Sequence, residues 1–99
     1  MRVHLAGKYY DLQFVSHLYG PDGKAADGLC DPPSGDSKKI LIRNSLKRNP
    51  QRLLSVIFHE LLHAGNWNIA EENVEECAEE AARVAIAIGF TYTPKGVKA

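Results

Sequence analysis

The sequence predicts an α+β domain, a small antiparallel sheet packed on one buried helix with a second, amphipathic helix beside it. Three observations lead there. Apolar residues alternate over 3–14, and an apolar triplet stands at 40–42, both in the manner of strands. Residues 50–65 make a helix-length segment that is apolar on nearly every side. Residues 69–88 repeat small and branched apolar side chains at helical spacing. With 99 residues the chain has room for one domain, 1–99, and one modest core.

The N-terminal strands read as a hairpin. Val3 and Leu5 alternate before the turn Ala6-Gly7-Lys8, and Tyr10, Leu12 and Phe14 alternate after it. Residues 19–37 hold Gly20, Pro21, Gly23, Gly28, Pro32, Pro33 and Gly35, the composition of a long loop. Lys39-Ile40-Leu41-Ile42-Arg43 follows as a strand, and its flanking cations suit an edge position.

The first helix is bounded by Asn49 as N-cap, Pro50 at the first helical position and Gly65 at the C-terminal end. Leu53, Leu54, Val56, Ile57, Phe58, Leu61 and Leu62 cover most of its circumference, so it is expected to be the central, buried element. For the second helix, Asn68 and Glu71 have capping-box spacing, and Gly89 ends the segment. Val74, Cys77, Ala78, Ala81, Val84, Ala85 and Ile88 are expected to face the core as one stripe. A short strand is expected over Phe90-Thr91-Tyr92-Thr93.

Twelve basic and twelve acidic residues cancel, which argues against a general nucleic-acid binder. Lys38, Lys39, Arg43, Lys47, Arg48 and Arg52 form a basic run without interleaved aromatics, and Glu71, Glu72, Glu75, Glu76, Glu79 and Glu80 form an acidic one. Both read as solvated faces. No apolar run is long enough to span a membrane, and residues 1–11 lack the apolar stretch of a secretory signal. A cytoplasmic protein is expected. Cys30 and Cys77 do not make a disulfide framework.

Chemistry enters with His59-Glu60-Leu61-Leu62-His63, an HExxH segment on the strongest helix. Residues four apart stack on one helical face, so both imidazoles can reach one ion. Zinc takes histidine nitrogen at about 2.0–2.1 Å, and a catalytic site adds a third protein ligand and an open position. Glu60 is placed to take a proton from water there. Two histidines and a glutamate in an apolar helix are costly unless something satisfies them, and a metal would do so.

No histidine follows His63, so the third ligand is expected to be an acid from the second helix. Glu71 and Glu75 lie in line with Ala78 and Ala82, whose small side chains permit a close helix approach. Glu75 is favoured because it sits one turn inside the helix, while Glu71 is occupied if the capping box forms. Glu71 and Glu72 remain alternatives.

HELLH, a short link with Trp67, and the acidic-alanine pattern from Glu71 to Ala82 resemble the short zinc-metallopeptidase-like proteins of phages and prophages. Cys30-Asp31-Pro32-Pro33 and the Ile40-Leu41-Ile42 strand add to that likeness. HExxH followed by a helical acid is also similar to the minimal gluzincins, including the ImmA/IrrE-type peptidases. The resemblance implies a minimal zincin-like domain and a small zinc-dependent metalloprotease. It implies His59 and His63 as Zn2+ ligands, Glu60 as general acid/base, and Glu75 at the third-ligand position. Glu79 stands where that pattern has asparagine.

The implied partner is a peptide or protein substrate added as a strand to an exposed edge, the expected one being Ile40 to Arg43. A phage or host protein is a further candidate partner. The alternative is a non-catalytic zinc-containing module that binds a peptide or protein, in which a fourth side chain such as Cys30 closes the site. Tyr92, Tyr19 and His17 are the available, weak candidates for stabilising an oxyanion.

Overall fold

The computed structural model describes residues 1–91 as a small α+β domain with a four-stranded mixed sheet and two helices. Strands β1 (Arg2–Leu5) and β2 (Lys8–Val15) form the expected antiparallel hairpin. Ala6 at φ 50° and Gly7 at φ 76° make its two-residue turn. Positive φ at both central positions is the conformation whose twist matches a hairpin.

The sheet order is β1-β2-β4-β3, with β4 at Lys39–Arg43 and β3 at Gly28–Cys30. Two expectations are corrected here. The sheet is not wholly antiparallel, because β4 runs parallel to β2 with Leu12 beside Ile40 and Phe14 beside Ile42. Residues 16–38 separate the two strands, enough chain to carry β4 back to the same end of the sheet. Nor is β4 an edge. It lies between β2 and β3, and Ile40 and Ile42 are fully buried. The edge on that side is β3, a three-residue strand inside the segment expected to be all loop, paired antiparallel to β4 from Gly28–Ile42 to Cys30–Ile40; β1 is the other edge.

The core forms where the sheet meets α1 (Pro50–Gly65). Tyr10 and Leu12 from β2, Ile40 and Ile42 from β4, Leu46, Leu53 and Ala64 pack together. Tyr10 is almost completely buried and its hydroxyl donates to the Ala64 carbonyl at 3.5 Å. Asn49 caps α1, its side chain accepting from the Arg52 N–H at 3.2 Å, and Pro50 opens the helix. The last helical residue is Gly65, and Asn66 serves as C-cap. Asp27 pairs with both Arg43 and Arg52, tying the approach to β3 to the end of β4 and the start of α1. Part of the basic run is thus engaged inside the domain.

The second helix, α2 (Glu71–Ala87), packs on α1 through Val74, Ala78 and Ala82, each fully buried. The expected stripe is therefore corrected: Cys77, Ala81, Val84 and Ile88 are exposed, and the buried line is rotated towards Ala82. The capping box is corrected too. Ala70 is the N-cap and no side chain bonds the free N–H groups of the first turn. At the other end Gly89 takes φ 106°, the Phe90 N–H bonds the Ala85 carbonyl, and the Gly89 N–H bonds Ile86. This is the glycine-terminated stop expected from sequence. Phe90 and Thr91 are not strand, and Tyr92 and Thr93 lie outside the described residues. No helix among the described residues is long and apolar enough to cross a membrane.

Because β4 is central, Ile42→Ala is expected to lower unfolding free energy by about 2–5 kcal/mol. Lys39→Ala, at the exposed start of the same strand, is expected to stay within about 0.5 kcal/mol of wild type. Urea denaturation of the two variants checks the difference.

Candidate metal centre

The two histidines project from the same face of α1 as their spacing requires. Their Nε2 atoms stand 3.1 Å apart, with ring centroids at 4.8 Å. Across from them α2 begins, and its first residue closes the cluster. Glu71 Oε1 lies 2.8 Å from His59 Nε2, and Oε2 lies 2.8 Å from His63 Nε2. The four atoms are crowded and electron-rich. Protonating both rings would satisfy the carboxylate but press two N–H groups together at 3.1 Å. A single dication satisfies all four at once.

Distances agree with that fit. Ligands about 2.0–2.1 Å from a tetrahedral ion lie roughly 3.3 Å from one another. The spacings of 2.8 and 3.1 Å fall just inside this edge length. His59, Glu60 and His63 also have ligand atoms within 4.8 Å of one another, so Glu60 belongs to the same group. It is the more distant acid, with Oε1 4.0 Å from His59 Nε2.

Glu75, the favoured third ligand from sequence, is not brought to the imidazole nitrogens. It lines a neighbouring recess that His59 and Glu60 border from the other side, together with Asp27, Arg52 and Glu79, and it makes no ion pair with either histidine. Glu72 is exposed and reaches neither histidine. The reason lies in which face of α2 is covered. At 100° per residue, Glu71 falls about 20° from the centre of the Val74–Ala78–Ala82 line, and Glu75 about 60° away. With Ala70 as the cap, Glu71 also has no capping duty.

Glu60 flanks the histidines on the side of α1 that β3 covers. It is the one buried charged residue among those described, at 6% exposure. Its carboxyl is pushed up to about 7, chiefly by burial and further by the negative charge of Glu71. A carboxyl poised there can both accept and return a proton near neutral pH. Gly28 makes this burial possible. A Cβ at that position would stand 2.8 Å from Val56 Cγ1 and 3.0 Å from Glu60 Cγ, so only glycine lets β3 lie so closely on α1.

Around the histidines runs a cleft of about 510 Å³ lined by β3, His59, Glu60, His63, Trp67, Ile69 and Glu71. Its β3 wall has one backbone edge paired to β4 and the other unpaired. Trp67, in the link between the helices, forms a wall of the cleft, half exposed, with its ring 6.1 Å from that of His63. Cys30 lines the cleft as well, but its Sγ donates to the Asp31 carbonyl, and burial and Glu60 push its thiol up to about 12. It is held as a protonated thiol. Tyr19 and His17 are exposed and do not line the cleft, and Tyr92 lies outside the described residues. The residue that sequence reasoning missed is Gly28, which nothing but a glycine in a loop marked.

No protein-family model, curated protein or solved structure matches the chain.

Two measurements follow from this geometry. Gly28→Ala is expected to cost about 1–3 kcal/mol by overpacking, read by urea denaturation. The second concerns Glu60, whose carboxyl is pushed up to about 7 in the fold from the ordinary 4.5 it has when unfolded. The folded value is the higher, so the protonated form favours folding. That contribution is complete below about pH 4.5 and is lost as pH rises through about 7. In chelator, Glu60→Gln is therefore expected to match wild type near the acid end of this window. Above it the variant should be more stable, by on the order of 2 kcal/mol. Equal stabilities at both ends would refute the raised carboxyl.

Proposed function

We propose that this protein is a small zinc-dependent metallopeptidase of zincin type. The observation that carries the reading is the Glu71 carboxylate bridging the two HExxH imidazole nitrogens beside a buried, near-neutral Glu60. His59, His63 and Glu71 are the residues that would hold the ion. Zinc in such a three-ligand site lowers the pKa of water towards 7 and polarises a carbonyl.

Glu60 supplies the proton traffic. Its desolvated carboxylate accepts a proton from the attacking water and returns it to the leaving amine, a task suited to an acid whose pKa lies near 7. The unpaired edge of β3 offers backbone N–H and C=O groups to an extended peptide, laying its chain along the cleft above the histidines. This replaces β4 as the docking strand. Trp67 supports one wall and sets how wide a side chain the cleft accepts. The substrate is thus a peptide or an extended segment of a protein, bound mainly through its backbone.

Protein purified without an affinity tag is expected to carry about one zinc per chain, lost in His63→Ala. Glu71→Gln is expected to weaken zinc binding by at least a hundredfold, whereas Glu75→Gln leaves it within a few-fold of wild type. The wild type is expected to cleave members of a peptide library, and Glu60→Gln to bind zinc normally but lose at least about a hundredfold in turnover. Stoichiometric zinc with no cleavage in any pool would favour the non-catalytic binding module. Absence of zinc uptake would refute both readings.

A further inference from the structure

Glu71 closes the histidine cluster, but the two carboxylates that follow it along α2 have no part in the metal centre. Glu75 and Glu79 come at successive steps of four residues, each about 6 Å further along the helix axis. Both line a recess of about 220 Å³. Asp27 and Gly28 border it from the β3 side, and Arg52 and Val56 from α1. His59 and Glu60 line recess and metal cleft alike, so the two spaces adjoin at the metal centre.

The chain leaves acidic groups in this recess without full partners. Asp27 is satisfied by Arg43 and Arg52, and Arg52 donates to it through both Nε and a terminal nitrogen. Glu79 lies in the field of that same guanidinium. Glu75 forms no ion pair among the described residues. Behind them stands Glu60, 6% exposed and accepting no hydrogen bond among the described residues, with His59 Nε2 4.0 Å away. A cationic group entering the recess meets Glu75 directly, with Glu79 and the buried Glu60 on either side.

Resting on the peptidase reading, we propose that this recess selects a lysine or arginine side chain of the substrate, with Glu75 as the residue that determines the preference. The volume equals that of about seven waters, enough for one such side chain. Glu75 stands one helical turn from Glu71, a distance that the four-carbon stem of a lysine spans. The opposite flank of the cleft, at Trp67 and Ile69, is apolar, so the two flanks accept different side chains. Their order along the substrate follows from β3. From Asp27 to Cys30 the chain passes from the recess into the cleft. A peptide added antiparallel to β3, the more stable pairing, runs the other way and brings to the recess the residue that follows the cleaved bond.

Two peptides that differ only in carrying lysine or uncharged norleucine after the cleaved bond are the probes. Trp67, the one tryptophan of the chain, reports their binding by its fluorescence from the cleft wall. The lysine peptide is expected to bind the zinc-loaded protein about fivefold tighter and to be cleaved with a kcat/KM higher by a similar factor. In about 0.5 M salt that difference should shrink. Glu75→Gln is expected to bring the two peptides within about twofold of each other. Glu75→Lys is expected to turn the preference to a glutamate at the same position, which lost packing would not do. Zinc content and urea midpoints establish that the variants keep the fold, and should Glu75→Lys not fold, Glu75→Gln, nearly identical in shape, decides. If no peptide is cleaved, the peptidase reading fails and the ratio of affinities alone judges the recess. Cleavage and binding indifferent to lysine, or a lysine preference that Glu75→Gln leaves intact, would overturn the recess and leave the peptidase standing.

Discussion

The arrangement of this domain turns on burying one carboxylic acid. Glu60 lies beneath β3 with 6% of its surface exposed, and its nearest cationic candidate, His59, is 4.0 Å away. An acid in that position resists ionisation, because the charged form loses water without gaining a close partner. Burial requires β3 to press on α1, and the pressing requires that Gly28 have no side chain. The same contact brings the free edge of β3 alongside the histidines. One close approach therefore sets the acidity of Glu60, the wall of the cleft and the position of the edge.

The histidines obey a different logic. Their spacing on α1 is fixed by the helix itself, but the partner that completes them comes from another element whose start is decided by packing. Val74, Ala78 and Ala82 determine which way α2 faces, and the carboxylate of its first residue is thereby brought to the histidines. A carboxylate at the head of a helix also sits where the backbone dipole favours negative charge. Glu71 is thus the acid whose placement is supported by both the packing line and the helix end.

These two cases explain what the sequence could and could not disclose. Local chemistry was legible: the Asn49-Pro50 start of α1, the hairpin turn at Ala6-Gly7, the stop at Gly89 and the pairing of His59 with His63 all depend on nearby residues. The central place of α1, between the sheet and α2, was legible too, although of its apolar residues named from sequence only Leu53 is fully covered and the rest are half-buried. Features decided by tertiary contact were not. β3 is three residues of Gly-Leu-Cys with no period to detect. The parallel pairing of β2 with β4 depends on where a long excursion returns. On α2 the apolar arc spans about 160° and exceeds what α1 covers, so periodicity alone did not say which part would be buried, and the choice between Glu71 and Glu75 went with it.

The shortness of β3 has a consequence for how the protein survives at high concentration. An unpaired strand edge is a template, and a long flat one recruits other chains into fibrils. Three residues offer too few backbone groups to hold a stacked copy in register, and the proline pair Pro32-Pro33 stands just beyond its end. Proline cannot donate to a growing ladder. At the β3 edge an aggregate has little to propagate along.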